Sequence, residues 1–577
     1  MARIRKIEIR NFRSVRKFDW FPSEGINCLI GPGDSGKSTI LDAINFCLGT
    51  RRNLQFADSD FYQLDIDTPI EISLTIGELD DSLKNIDTYG VYLRGYFAET
   101  NVIEDEPETG AETVLTVKLT VESDLEPNWK LVSERAEVQG LSRNLSWSER
   151  VRIAPTRIGA MADYHLGWGR GSVLCRLSEE RADISAALAK AARDARAAFG
   201  DEAQGQLDET IKTVATTASN LGVPIAGDIK AMLDTHSVSF GSGTISLHDE
   251  NGVPLRALGI GSTRLLIAGL QRAASDKASI ILIDELEYGL EPHRIIRLLD
   301  SLGAKEEEPL QVFMTTHSPV VLRELSGNQL IVLRSTDEGH LAILVGDSDD
   351  AQGTIRCFPE AFLALSVIAC EGASEVGFIR GIDQYRAVQG EQSISAMGVS
   401  LVDCNGSNPD RFIDRATVFL SLGYRAGVFC DDDKAPTSKK LDVFVDAGGG
   451  FFTWRNGRAL EDELFLSLHD EDVDALIDAA IEFHGEKLID DHIKTETGNE
   501  YDLGSLRAEA NRLEEYSDEL RMILASASKN KSNGWYKSVS KMEVVARNIV
   551  GPNLEYADDE FRENVELIFT WIADARE

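Results

Sequence analysis

The stretch Gly31-Pro32-Gly33-Asp34-Ser35-Gly36-Lys37-Ser38-Thr39 decides how the first half of the chain folds. The apolar run INCLI (26–30) precedes it, and ILDAINFCLG (40–49), with apolar residues at helical spacing, follows it. This is the pattern GxxxxGK[ST] in its required setting of strand, loop and helix. Glycines let backbone N–H groups turn towards an anion, and the helix N-terminus adds partial positive charge. We therefore predict a phosphate-binding loop that uses Gly31, Gly33, Asp34, Ser35, Gly36, Lys37, Ser38 and Thr39, with Lys37 on the β- and γ-phosphates of ATP and Ser38 on Mg²⁺.

Two further strands end in residues that suit ATP hydrolysis. The run SIILID (279–284) closes on Asp284 and Glu285, a buried strand that ends in two acids. Asp284 is predicted to hold Mg²⁺, and Glu285 to polarise the attacking water. The stretch QVFMTTHSP (311–319) is an apolar strand followed by Thr316-His317-Ser318, and we predict that His317 senses the γ-phosphate. The sequence thus supplies both halves of an ATPase site.

A glycine-rich turn lies about 20 residues before Asp284. It reads LGIGSTRL (258–265) and resembles a degenerate ABC signature, with Gly261 and Ser262 as its anion-binding residues. The order of the motifs, and the opening IEIRNFRSV (7–15), resemble the ABC ATPases of the SMC and RecF kind. In that family two heads enclose ATP, and the signature of one head completes the site of the other. The resemblance implies at least a homodimer.

The stretch between the motifs changes character twice. Residues 60–160 alternate in strand fashion, whereas residues 178–233 are rich in alanine and interleaved charges, which is typical of helices. We predict the N-terminal part of an ABC ATPase over 1–170, a helical insert over 171–235 and the C-terminal part of the ATPase over 236–345. The insert is interpreted either as a dimerisation element or as a helical cap on one head.

A second group of acids follows after about residue 345. One apolar run leads into Cys370-Glu371-Gly372-Ala373-Ser374-Glu375, and another, GVFC (427–430), ends in Asp431-Asp432-Asp433. The carboxyl edge of an α/β sheet would bring such strand-ending acids together, and hard oxygen ligands select Mg²⁺ or Mn²⁺. A glutamate at one strand end and a DxD at another resemble the Toprim fold. We predict a Toprim nuclease domain over 360–577.

The combination of ABC head, helical insert and C-terminal Toprim resembles the OLD (overcoming lysogenization defect) family of ATPase-nucleases, to which the nuclease subunit of the Gabija phage-defence system is similar. The resemblance implies a further metal ligand at Glu461, in WRNGRALED (454–462), and a catalytic lysine at Lys537, in GWYK (534–537). It also implies a helical insert over about 465–525. The predicted fold class is therefore α/β multidomain.

These motifs predict an ATP-regulated, metal-dependent endonuclease that cuts DNA, with an expected role in anti-phage defence. Glu371, Glu375, Asp431, Asp433 and Glu461 are the predicted metal ligands, for one or two ions. Three alternatives stay open. One is a ribonuclease that acts on RNA such as transfer RNA, one is a RecF- or SMC-like DNA-binding ATPase with an inactive Toprim domain, and one is a topoisomerase- or primase-like enzyme.

Composition bears on the partners and the compartment. The formal net charge is −37, yet the first 17 residues hold seven cations against one acid. We weigh a DNA-facing role for those cations against a solvated strand edge. Seven cysteines without a CxxC pair, and no apolar signal or membrane run, predict a cytoplasmic protein without a membrane partner. A helicase or another defence protein is a possible partner that the resemblance implies.

Overall fold

A computed structural model of the chain describes residues 2–50, 54–159, 165–166, 172–174, 185–220, 247–273, 280–306, 310–406, 408–455, 457–530 and 533–574. Internal contacts divide the chain into two compact units, and neither is continuous in sequence. The first unit consists of residues 1–28, 36–316 and 337–340. The second unit consists of residues 29–35, 317–336 and 341–577.

The strands follow the apolar runs of the sequence. β3, for example, is buried at all five of its positions, as expected of a strand covered on both faces. In chain order the strands are β1 (Arg3–Phe12), β2 (Val15–Trp20), β3 (Ile26–Ile30), β4 (Ile70–Gly77), β5 (Leu93–Phe97), β6 (Val102–Glu104), β7 (Glu112–Val121), β8 (Pro127–Val132), β9 (Thr156–Ile158), β10 (Ile280–Ile283), β11 (Gln311–Thr315), β12 (Leu330–Thr336), β13 (Gly339–Leu344), β14 (Ser366–Cys370), β15 (Val399–Asp403), β16 (Arg425–Cys430) and β17 (Gly450–Thr453).

The helices follow the amphipathic and alanine-rich segments. In chain order they are α1 (Lys37–Leu48), α2 (Ile86–Tyr89), α3 (Glu134–Val138), α4 (Trp147–Ile153), α5 (Ser185–Asn220), α6 (Ile260–Ala273), α7 (Pro292–Ser301), α8 (Pro319–Glu324), α9 (Asp349–Cys357), α10 (Ala373–Val388), α11 (Pro409–Ser421), α12 (Ser438–Asp446), α13 (Leu460–Ser467), α14 (Asp470–His484), α15 (Glu486–Glu496), α16 (Leu503–Leu513), α17 (Asp518–Ser528), α18 (Val539–Val545), α19 (Gly551–Asn553) and α20 (Asp559–Ala573).

The first unit contains both antiparallel and parallel strands. β1 pairs antiparallel with β2 and β4, and β4 continues antiparallel to β7. β10 pairs parallel with β9 and with β11, with Ile283 opposite Ile158 and Met314. Because parallel strands end at the same edge, Asp284 and Thr315 emerge side by side. The sheet is therefore mixed, as in an α/β ATPase head.

The second unit contains a four-stranded sheet in the order β15-β14-β16-β17, with every pair parallel. Parallel neighbours require crossover connections, which α10, α11 and α12 supply. Beneath the sheet, Trp454 packs edge-on against Phe378 and Phe429 and stacks on Phe561. The ends of β14 and β16 lie next to each other, and this places the acids that follow them at one edge.

The predicted helical segments are described in part. α5 runs for 36 residues inside the predicted insert, and the rest of 171–235 lies mostly outside the described residues. Residues 465–525 consist largely of α13 to α17. Among the described residues, no helix combines the length and the apolarity needed to cross a bilayer.

Five of the seven N-terminal cations pair with carboxylates within the first unit. Arg3 and Arg5 bind Glu24 and Glu78, Lys6 binds Glu8, Arg10 binds Asp19, and Arg13 binds Asp42 and Asp60. The other two, Arg16 and Lys17, are exposed. These ion pairs favour the structural interpretation of the basic N-terminus over a DNA-facing one.

Candidate functional site

The phosphate loop has the backbone geometry that its glycines allow. Gly31 and Gly36 have φ values of 138° and 84°, in the region that favours glycine, and Asp34 has φ 59°. Gly36 immediately precedes α1, and the N-terminus of a helix favours anions. Lys37 is buried, with only 5% of its surface exposed. The start of α1 thus has the local geometry of an anion-binding helix N-terminus.

The strand-ending acids of the first unit meet the start of α1. The Ser38 hydroxyl donates to Oδ1 of Asp284 at 3.0 Å, and the Thr315 hydroxyl donates to the same oxygen at 2.7 Å. The backbone N–H of Glu285 donates to the Thr315 hydroxyl at 2.8 Å, and the Glu285 side chain is exposed. A hydroxyl and a carboxylate beside a phosphate loop fit Mg²⁺ bound to ATP.

An ion-pair chain that the sequence analysis missed supports Asp284. Arg157, on β9, lies 3.6 Å from Oδ2 of Asp284 and also binds Asp42 of α1. Arg13 binds the second oxygen of Asp42. Each of these residues belongs to a different segment, so no local pattern in the sequence could reveal their contact.

The signature-like turn has a structural role within its own unit. Ser262 accepts a hydrogen bond from Arg294 at 3.2 Å. Gly261 packs closely against Gly289, since a Cβ on Gly261 would lie 2.5 Å from the carbonyl oxygen of Gly289. Arg264, which is only 1% exposed, was missed by the sequence analysis. It donates to the carbonyls of the loop after β10, at 3.0 Å to Glu285, 2.8 Å to Tyr288 and 3.1 Å to Asp284. Arg264 therefore fixes the backbone that carries both acids.

The other residues that we predict to bind ATP are divided between the two units. The Thr39 hydroxyl lies 3.2 Å from the Ser14 hydroxyl. His317 is exposed just after β11 and belongs to the second unit, as do Gly31, Gly33, Asp34 and Ser35. Gly36–Thr39, Asp284 and Glu285 belong to the first unit.

The second unit gathers acids at the ends of β14 and β16. Glu371, Asp431 and Asp433 each offer a carboxylate oxygen, and these oxygens lie within 4.8 Å of one another. The N–H of Asp431 donates to Oε2 of Glu371 at 3.0 Å, and the N–H of Leu460 donates to Oδ1 of Asp431 at 2.9 Å. Three carboxylate oxygens this close together suit a hard divalent cation.

Two more carboxylates extend this set inward. Glu375 and Glu461 are 3% and 4% exposed, and Oε1 of Glu461 has no hydrogen-bond partner among the described residues. Burial, together with the nearby charges of Glu461 and Glu371, raises the pKa of Glu375 to about 8. Burial and the neighbouring carboxylates also raise the pKa of Asp431. Buried acids that repel one another, with one oxygen orphaned, fit a bound cation.

Cationic and structural side chains surround this cluster. Lys537 is exposed, and its charge lowers the pKa of Glu461 against the larger, raising effect of burial. The fully buried Glu463, which the sequence analysis missed, accepts from Arg455 at 2.6 Å, from Arg458 at 3.3 Å and from Ser467 at 2.6 Å. These bonds fix the first turns of α13, the helix that carries Glu461. In the sequence, Glu463 is one of three consecutive acids at the start of α13, and no local pattern sets it apart from the other two.

Comparison with known proteins places the first motifs in a family. The model of the family described as "AAA domain, putative AbiEii toxin, Type IV TA system" matches residues 26–323, a little over half of the chain. The chain is 40% identical over 58 residues to the "DNA replication and repair protein RecF" of Chlorobium phaeovibrioides, which is 10% of this chain and 16% of that protein. It is 45% identical over 49 residues to the "Chromosome partition protein Smc" of Methanocaldococcus jannaschii, which is 8% of this chain and 4% of that protein. The chain thus matches only a short share of these curated relatives.

Solved structures give weaker likenesses. The SMC head domain from Thermotoga maritima is 13% identical, with a TM-score of 0.29, and the match covers 60% of this chain and 99% of that one. An SmcHead bound to the C-winged helix domain of ScpA is 16% identical, with a TM-score of 0.30, and the match covers 59% and 97%. The family model, in contrast, spans the phosphate loop, Asp284, Glu285 and His317. The chain therefore belongs to this AAA-domain family and carries an ABC-type ATPase domain.

Proposed function

We propose that the protein is an ATP-regulated endonuclease that requires Mg²⁺ or Mn²⁺ and cuts DNA. The observation that carries the proposal is the convergence of Glu371, Asp431 and Asp433 at the edge of the parallel sheet, with the orphaned oxygen of Glu461 behind them. A cluster of several carboxylates can bind divalent cations, and such cations catalyse the hydrolysis of a phosphodiester.

The residues of the second unit have distinct parts in this proposal. Glu371, Asp431 and Asp433 would hold the cation from the open side, and Glu375 and Glu461 from the buried side. The cation, when bound, would activate water and offset charge on the scissile phosphate. Lys537 would bind a non-bridging phosphate oxygen from the exposed side. The hydrogen bonds of Asp431 to Leu460 and Glu371 keep these oxygens oriented.

The ATPase residues would set when cutting occurs. Lys37 and the loop N–H groups would bind the phosphates, Ser38 and Asp284 would hold Mg²⁺, and Glu285 would orient the attacking water. His317 would respond to the γ-phosphate. Gly261 and Ser262 would complete the site of a second copy, so that ATP would join two chains. The architecture proposed is an OLD-type ABC head followed by a Toprim domain, with anti-phage defence as its use.

The test is cleavage of a supercoiled plasmid by the full chain with Mg²⁺ or Mn²⁺, with and without ATP. Nicking or linearisation that persists in Asp442→Asn, an exposed acid on α12, and disappears in Asp431→Asn supports the proposal. Lys37→Ala shows whether ATP activates or restrains cutting. Equal cutting by the intact chain and Asp431→Asn would refute the assignment, and a parallel arm with transfer RNA tests the ribonuclease alternative.

A second function, a DNA-binding ATPase without nuclease activity, is favoured by the relatives alone. Two of them are named for DNA replication and repair and for chromosome partition, and both match short segments of this chain. Under that function the protein would bind DNA in an ATP-dependent manner and would leave every plasmid intact. Binding measured by fluorescence anisotropy beside the cleavage assay separates the two functions.

A further inference from the structure

The start of the phosphate loop is packed against strand β12 inside the second unit. A Cβ atom on Gly31 would lie 2.8 Å from the carbonyl oxygen of Leu333 and 3.6 Å from its N atom. Glycine has no Cβ, so the two backbones can pass this close to each other, and a movement of the loop towards β12 would meet steric repulsion. Any rearrangement of the loop at Gly31 therefore acts on β12.

Arg334, the residue after Leu333 on β12, contacts Tyr424, which directly precedes β16. The guanidinium carbon of Arg334 lies 3.6 Å from the centroid of the Tyr424 ring. Its Cγ lies 3.4 Å from the position that a Cβ would take on Gly423. Nε and Nη2 of Arg334 are buried without a hydrogen-bond partner among the described residues. Burial of two unpaired donor nitrogens beside a ring is costly, so the contact between Arg334 and Tyr424 is held at a cost that a shift of β12 would change.

A second line from the ATPase segment ends on the same tyrosine. α8 begins two residues after His317, and its Arg323 lies 3.9 Å from Glu360. Glu360 is part of a short 3₁₀ turn, Pro359–Leu363, and the Tyr424 hydroxyl donates to the carbonyl of Phe362 in that turn at 2.6 Å. Tyr424 thus contacts Arg334 of β12, the strand that packs against the phosphate loop. It also binds the turn Pro359–Leu363, which forms an ion pair with α8, the helix after His317.

Tyr424 is joined directly to the acidic cluster. It precedes β16, whose residues Ala426–Cys430 are all buried and whose next residue is Asp431. At the far end of the strand, the N–H of Glu371 donates to the carbonyl of Phe429 at 2.9 Å. A displacement of Tyr424 along β16 would therefore move Asp431 and Glu371 together, since a packed strand shifts as a unit.

We propose that Tyr424 couples nucleotide binding to the acidic site, through Arg334 on one side and the Phe362 carbonyl on the other. The proposal names the regulation of the proposed nuclease and rests on that function for its cleavage readout. Nucleotide at Gly31 and His317 shifts β12 and α8, both of which bear on Tyr424, and β16 passes the shift to Asp431. Coupling of this kind typically amounts to roughly 5- to 150-fold between two sites.

The test uses the full chain with Arg334→Gln and Tyr424→Phe. Tyr516→Phe serves as the matched control, because its hydroxyl also donates a hydrogen bond, to Asp474, in the same unit. Two quantities are measured with and without ATP: the plasmid nicking rate, and hydrogen exchange of the peptide that covers residues 425–436. In the intact chain and in Tyr516→Phe, ATP is expected to change the nicking rate at least about fivefold and to change exchange in that peptide. In Arg334→Gln and Tyr424→Phe, the change in nicking rate that ATP causes falls below about twofold. The ATPase rate and the nicking rate without nucleotide persist in both variants.

The outcomes separate the two proposals. An unchanged ATP response in both variants overturns the coupling, and so does a nucleotide-free nicking rate that collapses together with Mn²⁺ binding, because Tyr424 would then only support the site. If the intact chain cuts nothing, the nuclease proposal fails and hydrogen exchange decides the coupling by itself. An ATP-dependent change at 425–436 that the two variants abolish supports it, and protection confined to the phosphate loop refutes it.

Discussion

Ser38 and Asp284, which are 246 positions apart in sequence, are joined by a 3.0 Å hydrogen bond from hydroxyl to carboxylate. Each belongs to a motif that the sequence makes visible, and the bond brings together the two residues that we propose to hold Mg²⁺ on ATP. Beside them, Glu285 extends an exposed carboxylate.

Replacing Glu285 with glutamine is expected to separate nucleotide binding from hydrolysis. The amide keeps the shape of the side chain but cannot accept a proton from water, so kcat falls about 100-fold or more while ATP affinity is retained. Phosphate release measures the rate, and a fluorescent nucleotide measures binding. Glu291→Gln, at an exposed position before α7, serves as the control. A normal rate in Glu285→Gln would remove this residue from the proposed mechanism.

Arg264→Leu is expected to destabilise the loop that carries Asp284 and Glu285. Three backbone carbonyls lose a buried donor, and the free energy of unfolding should fall by about 3 kcal/mol. Denaturant unfolding and the ATPase rate report the loss. Arg297→Leu, on the exposed face of α7, should stay within about 0.5 kcal/mol of the intact chain. Equal stability of the two variants would contradict the structural role given to Arg264.

Asp431→Asn is expected to weaken Mn²⁺ binding by about 100-fold or more. Loss of a direct ligand lowers metal affinity more than loss of an outer residue that only orients a ligand. Mn²⁺ titration followed by electron paramagnetic resonance measures the affinity without any nuclease assay. Lys37→Ala as the background removes Mn²⁺ that is carried by nucleotide. Asp442→Asn should bind Mn²⁺ as the intact chain does. Undiminished binding in Asp431→Asn would place the metal elsewhere.

The raised pKa of Glu375 predicts how stability depends on pH. Burial and the charges of Glu461 and Glu371 lift this pKa from 4.5 to about 8, so the folded chain holds a proton that the unfolded chain releases. Its contribution to the free energy of unfolding is therefore present at low pH and lost as the pH rises through this window. Mn²⁺ binds the deprotonated carboxylates, so it should stabilise the protein more near pH 8 than near pH 6.

Thermal unfolding with a chelator and with Mn²⁺ tests this dependence. Glu375→Gln should flatten the pH profile in chelator, whereas Glu391→Gln, at an exposed position, should leave the profile unchanged. A metal effect that is equal at both pH values would show that Glu375 does not compete with the cation.

Glu463→Gln is expected to cost about 3 kcal/mol, because Arg455 loses its main buried counter-charge. Burial alone would raise the pKa of Glu463, but bonds from Arg455 and Ser467 lower it overall. The stabilising effect of this carboxylate is therefore present above pH 4.5 and lost as the pH falls through its lowered pKa. Acid unfolding of the variant should be flatter than that of the intact chain and of Glu482→Gln, an exposed control. An unchanged acid limb would contradict this account.

Sequence alone determined the elements whose cause is local. The phosphate loop is readable because nine consecutive residues supply the turn, the N–H groups and the helix start. The strand ends at Asp284, Glu371 and Asp431 are readable because a buried parallel strand is apolar along its length and meets solvent and ligands at its carboxyl end. The order of domains, and the nuclease interpretation of the second unit, rest on those same local patterns and on a family resemblance.

Tertiary structure decided which of these residues meet and what supports them. Arg264, Arg157 and Glu463 act on carbonyls and carboxylates from remote segments, so their roles depend on packing that no short pattern encodes. The N-terminal cations show the same limit, because Arg5 also binds Glu112, which lies 107 positions away in sequence. Tyr424 follows no motif at all, and its contacts with Arg334 and Phe362 exist only because the fold brings three separate segments together. Consecutive residues determine a local motif such as the phosphate loop, whereas contacts between remote residues form only when the chain folds and packs its core.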